Sequence, residues 1–385
     1  MLIHLKDTLK NKINVRKKVT YILSNIDKAI AFEWIIEHIS KEKIALSFIS
    51  IGKTENTALN SFCKQHHIPF YHVSYHSKRD IVTATFKTFQ LLQTIKPDVV
   101  HAHLFEAGLI GITAAYFARI KKRIYTRHYA TQHHEYAPGG VKYDRIINRL
   151  STDIIAISKN VEDVLINMED VKPEKITLIH HGFLLEAFAN VSQQRIDNLK
   201  QKYHLENKFV VGVVSRYLHL KGLQYIIPAF KRLLMIKPEA HLVLANAKGE
   251  YKNEVKILLE TIPEYSYTEI EFEEDNAALF KCFDVFVHVP INTKIEAFGQ
   301  IYIEALAAGI PGIFTLSGVA AEFIQDKKNA LVVNFNSSDE IYNAINELIH
   351  NNELRNRIIE NGRKDIAQLF SLSLMIEKLE KIYTV

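Results

Sequence analysis

The chain has 385 residues, of which 48% are hydrophobic and 24% are charged. At about 100–200 residues per domain, this length predicts two or three domains, each with its own core. The composition is that of an ordinary folded protein and argues against disorder, collagen and coiled coil. The two cysteines, Cys63 and Cys282, cannot form a disulfide framework, which suits a reducing compartment. We expect no secretory signal, because Lys6, Asp7 and Lys10 interrupt the apolar residues of the N-terminus. We expect no membrane span, because no apolar stretch reaches the ~20 residues that a span needs.

The net charge of +5 is unevenly distributed. Residues 1–190 contain 26 Lys and Arg against 18 Asp and Glu, a net charge of +8, whereas the remaining residues carry a net charge of −3. Thirteen of the 18 histidines also lie in residues 1–190. This asymmetry predicts that the first half faces an anionic partner, such as a lipid headgroup, nucleic acid or a charged substrate, or that it is a basic surface without a partner.

Short apolar runs alternate with segments of helical period along the first half. The predicted strands are Val19–Ser24, Ala45–Ile51, Pro69–Val73, Asp98–Ala102, Arg123–Thr126, Ile154–Ile157 and Ile176–Ile179. The predicted helices are Ala29–Ser40, Thr57–His66, Asp80–Ile95 and Glu106–Arg119.

After a hydrophilic segment at Val191–Lys208 the alternation starts again. The predicted strands are Phe209–Val214, His241–Ala245, Ile270–Phe272, Val285–Val289, Gly312–Phe314 and Ala330–Val333. The predicted helices are Leu223–Ile236, Glu250–Glu260, Ala277–Cys282, Gly299–Ala308, Val319–Ile324, Asp339–His350 and Glu353–Gln368. Strands separated by helices form βαβ units, so we predict an α/β protein with two doubly wound, Rossmann-like domains that meet near residue 186. Such domains usually bind ligands in the cleft between them, at the carboxyl ends of the strands.

The segment 284–311, DVFVHVPINTKIEAFGQIYIEALAAGIP, is the most informative in the chain. A strand and a loop lead into a helix that Gly309 ends. Gly299 allows a ligand to approach the backbone closely, and the helix N-terminus favours phosphate. Glu304, about 7.5 Å along the helix axis from Gly299, can accept two hydrogen bonds from a ribose diol, and Glu296 can accept them from another sugar. Alone, the two glutamates are equally well read as an exposed pair at an ordinary helix start.

A second segment, 210–230, reads VVGVVSRYLHLKGLQYIIPAF. Its strand ends at Ser215, and Arg216 and Lys221 flank a short turn that leads through Gly222 into a helix. Two cations at such a turn suit a diphosphate, since arginine can bind it through two hydrogen bonds and lysine as a point charge.

The two patterns together, R-x4-KG and E-A-F-G-x4-E-A-x3-G-x-P, strongly resemble the retaining GT-B-fold glycosyltransferases of family 4. The resemblance is detailed over residues 208–365 and looser over the first domain. It implies that residues 1–185 form an acceptor-side domain, that 186–365 bind the nucleotide-sugar, and that 366–385 are a C-terminal helix returning to the first domain.

The resemblance also implies a role for each matching residue. Arg216 and Lys221 would bind the donor diphosphate and stabilise the leaving group, and Glu296 would hold the hydroxyls of the donor sugar. Glu304 would bind the ribose. The residues that would offer backbone groups beside the sugar and the phosphate are Ala297, Phe298, Gly299 and Gln300. No metal ion and no other cofactor is expected, because cationic side chains and helix N-termini would stabilise the developing negative charge instead.

The first domain resembles the family less closely. His128, in RIYTRHYATQHH, stands at the position of a family histidine that contacts the donor sugar or its phosphate. Asn25 and His103 are acceptor-side candidates. At Asn25 the chain departs from the family, because YILSNIDKAIAFEW lacks the glycine-rich first loop. His181 replaces a common asparagine, and LVLANAKGEY lacks the usual glycine pair.

We therefore predict a glycosyltransferase that moves a sugar from a nucleotide-sugar to a glycan or lipid-linked acceptor, in bacterial surface polysaccharide or glycolipid biosynthesis. One alternative is a metal-dependent hydrolase that uses the N-terminal histidines, which are His101, His103, His128, His133 and His134. Another is an inactive nucleotide-sugar-binding protein. A nicotinamide dehydrogenase is disfavoured, because neither domain opens with G-x-G-x-x-G.

The position of the donor site in the acidic-leaning half makes the basic half the acceptor side. We expect an anionic acceptor or a membrane that carries one, and no nucleic acid. Residues 1–17 place apolar and basic residues at near-helical spacing. They are predicted to lie on an anionic membrane or to pack on the first domain. The predicted location is the cytoplasm, with peripheral contact at the inner face of the membrane.

Overall fold

A computed structural model describes residues 16–385. The predicted amphipathic helix at the N-terminus lies almost wholly outside these residues. The described chain forms two compact units. The first contains residues up to Thr126, together with Lys142–Ile155 and Ile376–Val385; the second contains Arg127–Val141 and Ala156–Met375.

Within residues 16–385, thirteen strands form two sheets. The first seven strands are β1 Lys17–Ser24, β2 Ile44–Gly52, β3 Phe70–Ser74, β4 Val99–His103, β5 Lys122–Arg127, β6 Asp153–Ala156 and β7 Ile176–Leu178. Their order in the sheet is β3-β2-β1-β4-β5-β6-β7. The other six are β8 Phe209–Val214, β9 Ala240–Ala245, β10 Tyr267–Ile270, β11 Val285–His288, β12 Gly312–Phe314 and β13 Leu331–Val332, in the order β10-β9-β8-β11-β12-β13.

Helices connect these strands. Those before residue 190 are α1 Ile30–His38, α2 Ala58–Gln65, α3 Ile81–Ile95, α4 Phe105–Ala107, α5 Thr113–Phe117, α6 Gln132–Glu135, α7 Val141–Leu150, α8 Lys159–Asn167 and α9 Glu186–Ala189. Those after it are α10 Gln193–Lys202, α11 Leu223–Ile236, α12 Lys252–Leu259, α13 Asn276–Lys281, α14 Gln300–Ala308, α15 Ala320–Phe323, α16 Ser338–His350, α17 Asn352–Phe370 and α18 Leu372–Thr384. Short 3-10 turns occur at Lys78–Asp80, Pro138–Gly140, Pro173–Lys175, His219–Lys221 and Glu264–Ser266.

The predicted fold class is confirmed, because both sheets are built from parallel strands joined by helices. β1 pairs in parallel with β2 and β4, and β8 pairs in parallel with β9 and β11. The central strands are buried over most of their length, as expected for strands covered on both faces. Six consecutive residues of β1 are buried, and five of the six residues of β8 are buried.

Three elements differ from the prediction. β10 lies at Tyr267–Ile270 rather than at 270–272, and Phe272 is exposed. The predicted helix 106–119 is divided by a π-helical turn at Gly108–Ile112. The predicted C-terminal helix 366–385 is broken at Ser371, where the chain pairs with Phe183: Phe183 N–H donates to Phe370 O, and Leu372 N–H donates to Phe183 O. This pairing uses main-chain groups that a continuous helix would have used internally.

The two compact units do not follow the predicted boundary at residues 185/186. Residues 127–141 and 156–185 belong to the second unit, and residues 376–385 belong to the first. One physical reason is the bonding of the 156–185 segment, in which the His180 ring lies 2.8 Å from a Glu322 carboxylate oxygen.

In the part of the chain that the structure describes, no helix has the length and apolarity to cross a bilayer.

Candidate functional site

Arg216 and Lys221 lie in the turn between β8 and α11. Arg216 is exposed, and Lys221 ends the 3-10 turn with its side chain 19% exposed. Gly222 follows with φ +80°, and a Cβ there would lie 2.1 Å from the Val289 carbonyl oxygen. Only glycine allows this close approach, so the turn that presents the two cations requires Gly222.

Glu296 and Glu304 lie on either side of the N-terminus of α14. Gly299 is the N-cap residue of α14 with φ +89°, and a Cβ there would meet the Tyr302 ring at 2.5 Å. Gln300 is the first helical residue and is exposed, so the helix N-terminus is accessible at this point. The backbone N–H groups of this first turn suit a phosphate, as the sequence predicts.

Two basic side chains, those of Lys221 and His288, contact the Glu296 carboxylate. Lys221 Nζ lies 2.5 Å from its Oε1, and His288 Nε2 lies 3.0 Å from the same atom. Burial raises the pKa of Glu296, but the hydrogen bond from His288 and the charge of Lys221 outweigh it and bring the pKa to about 2. Glu296 is therefore ionised at neutral pH. It forms an ion pair with Lys221, one of the two cationic residues predicted to bind a diphosphate.

The main chain around Glu296 is held on both sides. Glu296 N–H donates to Ser317 Oγ at 3.2 Å, and its carbonyl accepts from Asn160 Nδ2 at 2.8 Å. The Ala297 carbonyl accepts from the hydroxyl of Ser158. These bonds fix the loop that presents the carboxylate.

The buried side chain of Phe298 packs against other aromatic rings. Its side chain is 4% exposed, stacks with Phe183, and receives the edge of the His181 ring at 5.0 Å. Its carbonyl accepts from Val319 N–H. The ring therefore anchors the loop in an aromatic core.

Glu304 lies within the second turn of α14 and is partly buried. Burial raises its pKa to about 7. A carboxyl group in such a site gains from a ligand that donates hydrogen bonds to its ionised form, and the diol of a ribose is one such ligand.

His128 belongs to the second unit, like the residues above. Its ring stacks with that of His181 at 5.4 Å, and burial, followed by the charge of His180, lowers the pKa of His181 to about 4. His128 borders a cavity of about 520 Å³ beside the Glu296 loop. Its lining residues are His128, Tyr129, Ala130, Thr131, Gln132, Glu135, Tyr136, Leu218, Leu220, Glu250, Lys294, Ile295 and Ala297. The structure thus joins His128 to the two strand-to-helix turns through one cavity.

The two acceptor-side candidates lie in the first unit and have different surroundings. Asn25 follows β1, is exposed, and has φ +51°. Asparagine tolerates this left-handed conformation better than most residues, so the chain turns here without a glycine. His103 is 6% exposed and stacks on Tyr21 at 5.3 Å. Since its ring lies in the core, we do not include His103 among the residues proposed to contact a substrate.

The N-terminal histidines do not form a metal site. His101 is fully buried, with Nδ1 2.7 Å from the Tyr383 hydroxyl and Nε2 2.7 Å from Thr126 Oγ1. Both ring nitrogens are thus occupied. Across residues 16–385, no group of three or more His, Cys, Asp or Glu side chains is arranged to hold a metal ion. The hydrolase alternative therefore has no support.

Four residues of the site were not predicted from the sequence: Ser158, Asn160, His288 and Ser317. Ser158 is the N-cap residue of α8, and the sequence ISKNVED carries that signal. A lone histidine at the end of an apolar strand gave no comparable signal for His288. Its contact with Glu296 depends on how the loop returns to the strand.

The chain is similar in sequence to known glycosyltransferases. The profile of "Glycosyl transferases group 1" matches residues 183–365, and that of "Glycosyltransferase Family 4" matches residues 41–186. The capsular polysaccharide biosynthesis glycosyltransferase CapM of Staphylococcus aureus is 29% identical over 80% of this chain and 83% of its own length. An Escherichia coli galactosyltransferase, named as acting between UDP-Gal and alpha-D-GlcNAc-diphosphoundecaprenol, is 23% identical over 77% of each chain.

The fold has close counterparts among solved structures. Anabaena HepE, crystallised in complex with UDP-glucose, superposes with a TM-score of 0.81 at 21% identity, over 95% of this chain and 100% of its own. The two family profiles together span residues 41–365. With its two Rossmann-like sheets and the paired cation and carboxylate turns, the chain belongs to the family 4 glycosyltransferases of the GT-B fold.

Proposed function

We propose that this glycosyltransferase transfers a sugar from a nucleoside diphosphate-sugar to a hydroxyl of a glycan or lipid-linked acceptor, with retention of the anomeric configuration and without a metal ion. The observation that carries the proposal is the 2.5 Å contact between Lys221 and Glu296. A diphosphate-sugar needs a cation for its diphosphate and an acceptor of hydrogen bonds for its sugar hydroxyls. This contact puts both groups side by side.

In the proposed step, the bond between the anomeric carbon and the diphosphate oxygen breaks, and its electron pair stays on the diphosphate. The acceptor oxygen bonds to the same carbon on the same face, and its proton passes to the leaving diphosphate oxygen. Arg216, Lys221 and the N–H groups at the start of α14 stabilise the developing negative charge. His128 hydrogen-bonds the donor sugar from the other side of the cavity.

The names of the relatives support the substrate classes. One relative is named for capsular polysaccharide biosynthesis and another for a diphosphoundecaprenol-linked acceptor, and HepE was crystallised with UDP-glucose. The net charge of +8 in residues 1–190 suits an anionic, lipid-linked acceptor. We therefore place the enzyme in the cytoplasm, in peripheral contact with the inner face of an anionic membrane, in surface polysaccharide or glycolipid biosynthesis.

The first test is a thermal-shift screen with UDP, GDP, ADP and their sugars, since a ligand of the folded state raises the unfolding temperature. We then expect Lys221→Ala and Glu296→Ala to lower turnover by about 100-fold or more, the range for removing one group that stabilises developing charge. Turnover is measured as release of the nucleoside diphosphate.

Exposed residues of the second unit serve as controls. Lys231→Ala and Glu254→Ala should keep wild-type turnover, and circular dichroism should show all four variants folded. Unchanged turnover in both site variants would refute the assignment. Loss of activity in EDTA that Mg²⁺ restores would refute metal independence.

A further inference from the structure

His288 is a buried residue that the transfer step above does not use. It ends β11, is 2% exposed, and its Nε2 lies 3.0 Å from Oε1 of Glu296. The rings of His288 and Tyr302 are T-shaped with centroids 4.9 Å apart, and this packing restricts rotation of the imidazole. The contact therefore joins a rigid strand end to the carboxylate in the loop.

The hydrogen-bond pattern indicates which proton the ring carries. Glu296 is ionised and can only accept, so Nε2 must donate. The other nitrogen, Nδ1, is buried and has no hydrogen-bond partner within residues 16–385. Burial lowers the pKa of His288; the hydrogen bond and charge of Glu296 oppose this shift, and the charge of Lys221 adds to it. The ring is thus neutral at pH 7, with its proton on Nε2, and Lys221 is the cation that neutralises Glu296.

Lys221 has two tasks in the proposed function that compete. In the ligand-free protein its ammonium group contacts Glu296 Oε1, the atom that His288 also contacts. When a diphosphate binds, the same ammonium group must turn toward the phosphate oxygens. The main chain of Glu296 stays fixed by Ser317 and Asn160, but the direction of its carboxylate then depends on His288.

We propose that His288 is a positioning residue for the donor sugar: its Nε2–H holds Oε1 of Glu296 while Lys221 binds the diphosphate, and so leaves Oε2 to accept hydrogen bonds from the sugar hydroxyls. The inference rests on the proposed function for the roles of Glu296 and Lys221. It makes His288 a determinant of affinity for the sugar part of the donor, and not for its nucleotide.

The test compares two variants of His288, one that keeps a hydrogen-bond donor at this position and one that does not. His288→Gln places an amide N–H near the position of Nε2, whereas His288→Leu keeps apolar bulk and removes the donor. The control is His241→Leu, which removes another buried histidine of the same sheet, one whose Nε2 bonds Thr268. Calorimetry measures Kd for four pairs: UDP and UDP-glucose, UDP and UDP-galactose, GDP and GDP-mannose, and ADP and ADP-glucose.

For the pair that the wild type binds, we expect His288→Leu to raise the Kd for the sugar nucleotide by at least tenfold. The Kd for the nucleoside diphosphate should change by less than twofold. His288→Gln should recover most of the sugar-nucleotide affinity, and the control should resemble the wild type. An equal loss for both ligands, no loss for either, or no recovery with Gln would overturn the proposal.

A ligand-free measurement separates this proposal from the proposed function. In ¹⁵N-histidine NMR spectra we expect His288 as the neutral Nε2–H tautomer from pH 7 to 8, with Glu296, Lys221 and Tyr302 facing the ring. A cationic ring or a proton on Nδ1 would overturn the role of His288. If no pair binds the wild type, the proposed function fails, and the NMR spectra alone decide whether His288 holds Glu296 as described.

Discussion

Glu296 and Glu304 are eight residues apart, and their surroundings move their pKa values in opposite directions. Burial acts on both carboxyl groups. At Glu296 it is outweighed by His288 and Lys221, and the pKa falls to about 2; at Glu304 nothing opposes it, and the pKa rises to about 7. Glu296 is therefore ionised before any ligand binds. The ionised form of Glu304 is stabilised only when a ligand donates hydrogen bonds to it.

This difference predicts how donor binding depends on pH. If only ionised Glu304 accepts hydrogen bonds from the ribose, a pKa of about 7 makes affinity for a sugar nucleotide rise about tenfold from pH 6 to pH 8. Calorimetry with a sugar nucleotide measures this, because its diphosphate does not titrate in that range. Glu304→Gln should bind more weakly and without this pH dependence. A wild-type affinity that is flat from pH 6 to 8 would contradict the role of Glu304.

The same two shifts have opposite effects on the stability of the ligand-free protein. The folded state holds the Glu304 proton more tightly than the unfolded state, so this residue lowers the free energy of unfolding as pH rises from about 4.5 to about 7. The stability that Glu296 contributes is present above pH 4.5 and is lost as pH falls toward 2. Chemical denaturation of Glu304→Gln should therefore show a smaller decline between pH 5 and 7 than the wild type.

At the scale of elements, two strand-to-helix turns form the site, and each depends on a glycine with positive φ. We predict that Gly299→Ala destabilises the protein by at least about 1–2 kcal/mol, the cost of a left-handed conformation for an L-residue, because its Cβ also meets Tyr302. Donor affinity should fall as well, because the start of α14 must shift. Urea denaturation and calorimetry measure the two effects.

Gly139→Ala is the matched control for this substitution. Gly139 lies in the second unit, and a Cβ there would have no atom within 4 Å. This variant should have wild-type stability and donor affinity. Equal stability of Gly299→Ala and Gly139→Ala would contradict the view that the turn requires glycine.

At the scale of the whole molecule, the first unit combines segments from both ends of the described chain. The Tyr383 hydroxyl lies 2.5 Å from that of Tyr21 and 2.7 Å from Nδ1 of His101, and all three side chains are buried. We predict that Tyr383→Phe destabilises this unit by about 1–3 kcal/mol for each buried group left without a partner.

Hydrogen exchange at the amides of β1 and β4 measures that loss within the first unit. Donor affinity should stay unchanged, because the donor residues lie in the second unit. Tyr265→Phe, at a site that is 73% exposed, is the control and should change neither quantity. If the β1 and β4 amides of Tyr383→Phe exchange as slowly as those of the wild type, the hydroxyl does not contribute to the stability of the first unit.

Local sequence was enough to predict the alternation of strands and helices, the parallel sheets, the two turns that carry Arg216, Lys221 and Glu296, and the helix that carries Glu304. These features follow from local rules: apolar runs form buried strands, helical period gives the helices between them, and glycine with charged residues marks a turn that binds anions. The family resemblance rested on the same local motifs, and both family profiles agree with it.

The contacts between side chains of distant segments depend on how the chain folds in three dimensions. Lys221 and Glu296 are 75 residues apart, and their contact exists because β8 and β11 are neighbours in the sheet. Tertiary packing also buries His103 within the first unit, includes residues 156–185 in the second unit, and brings His288 into contact with Glu296. Periodicity reports which face of an element is buried, but a contact between elements depends on strand order and loop path, and local sequence does not encode these.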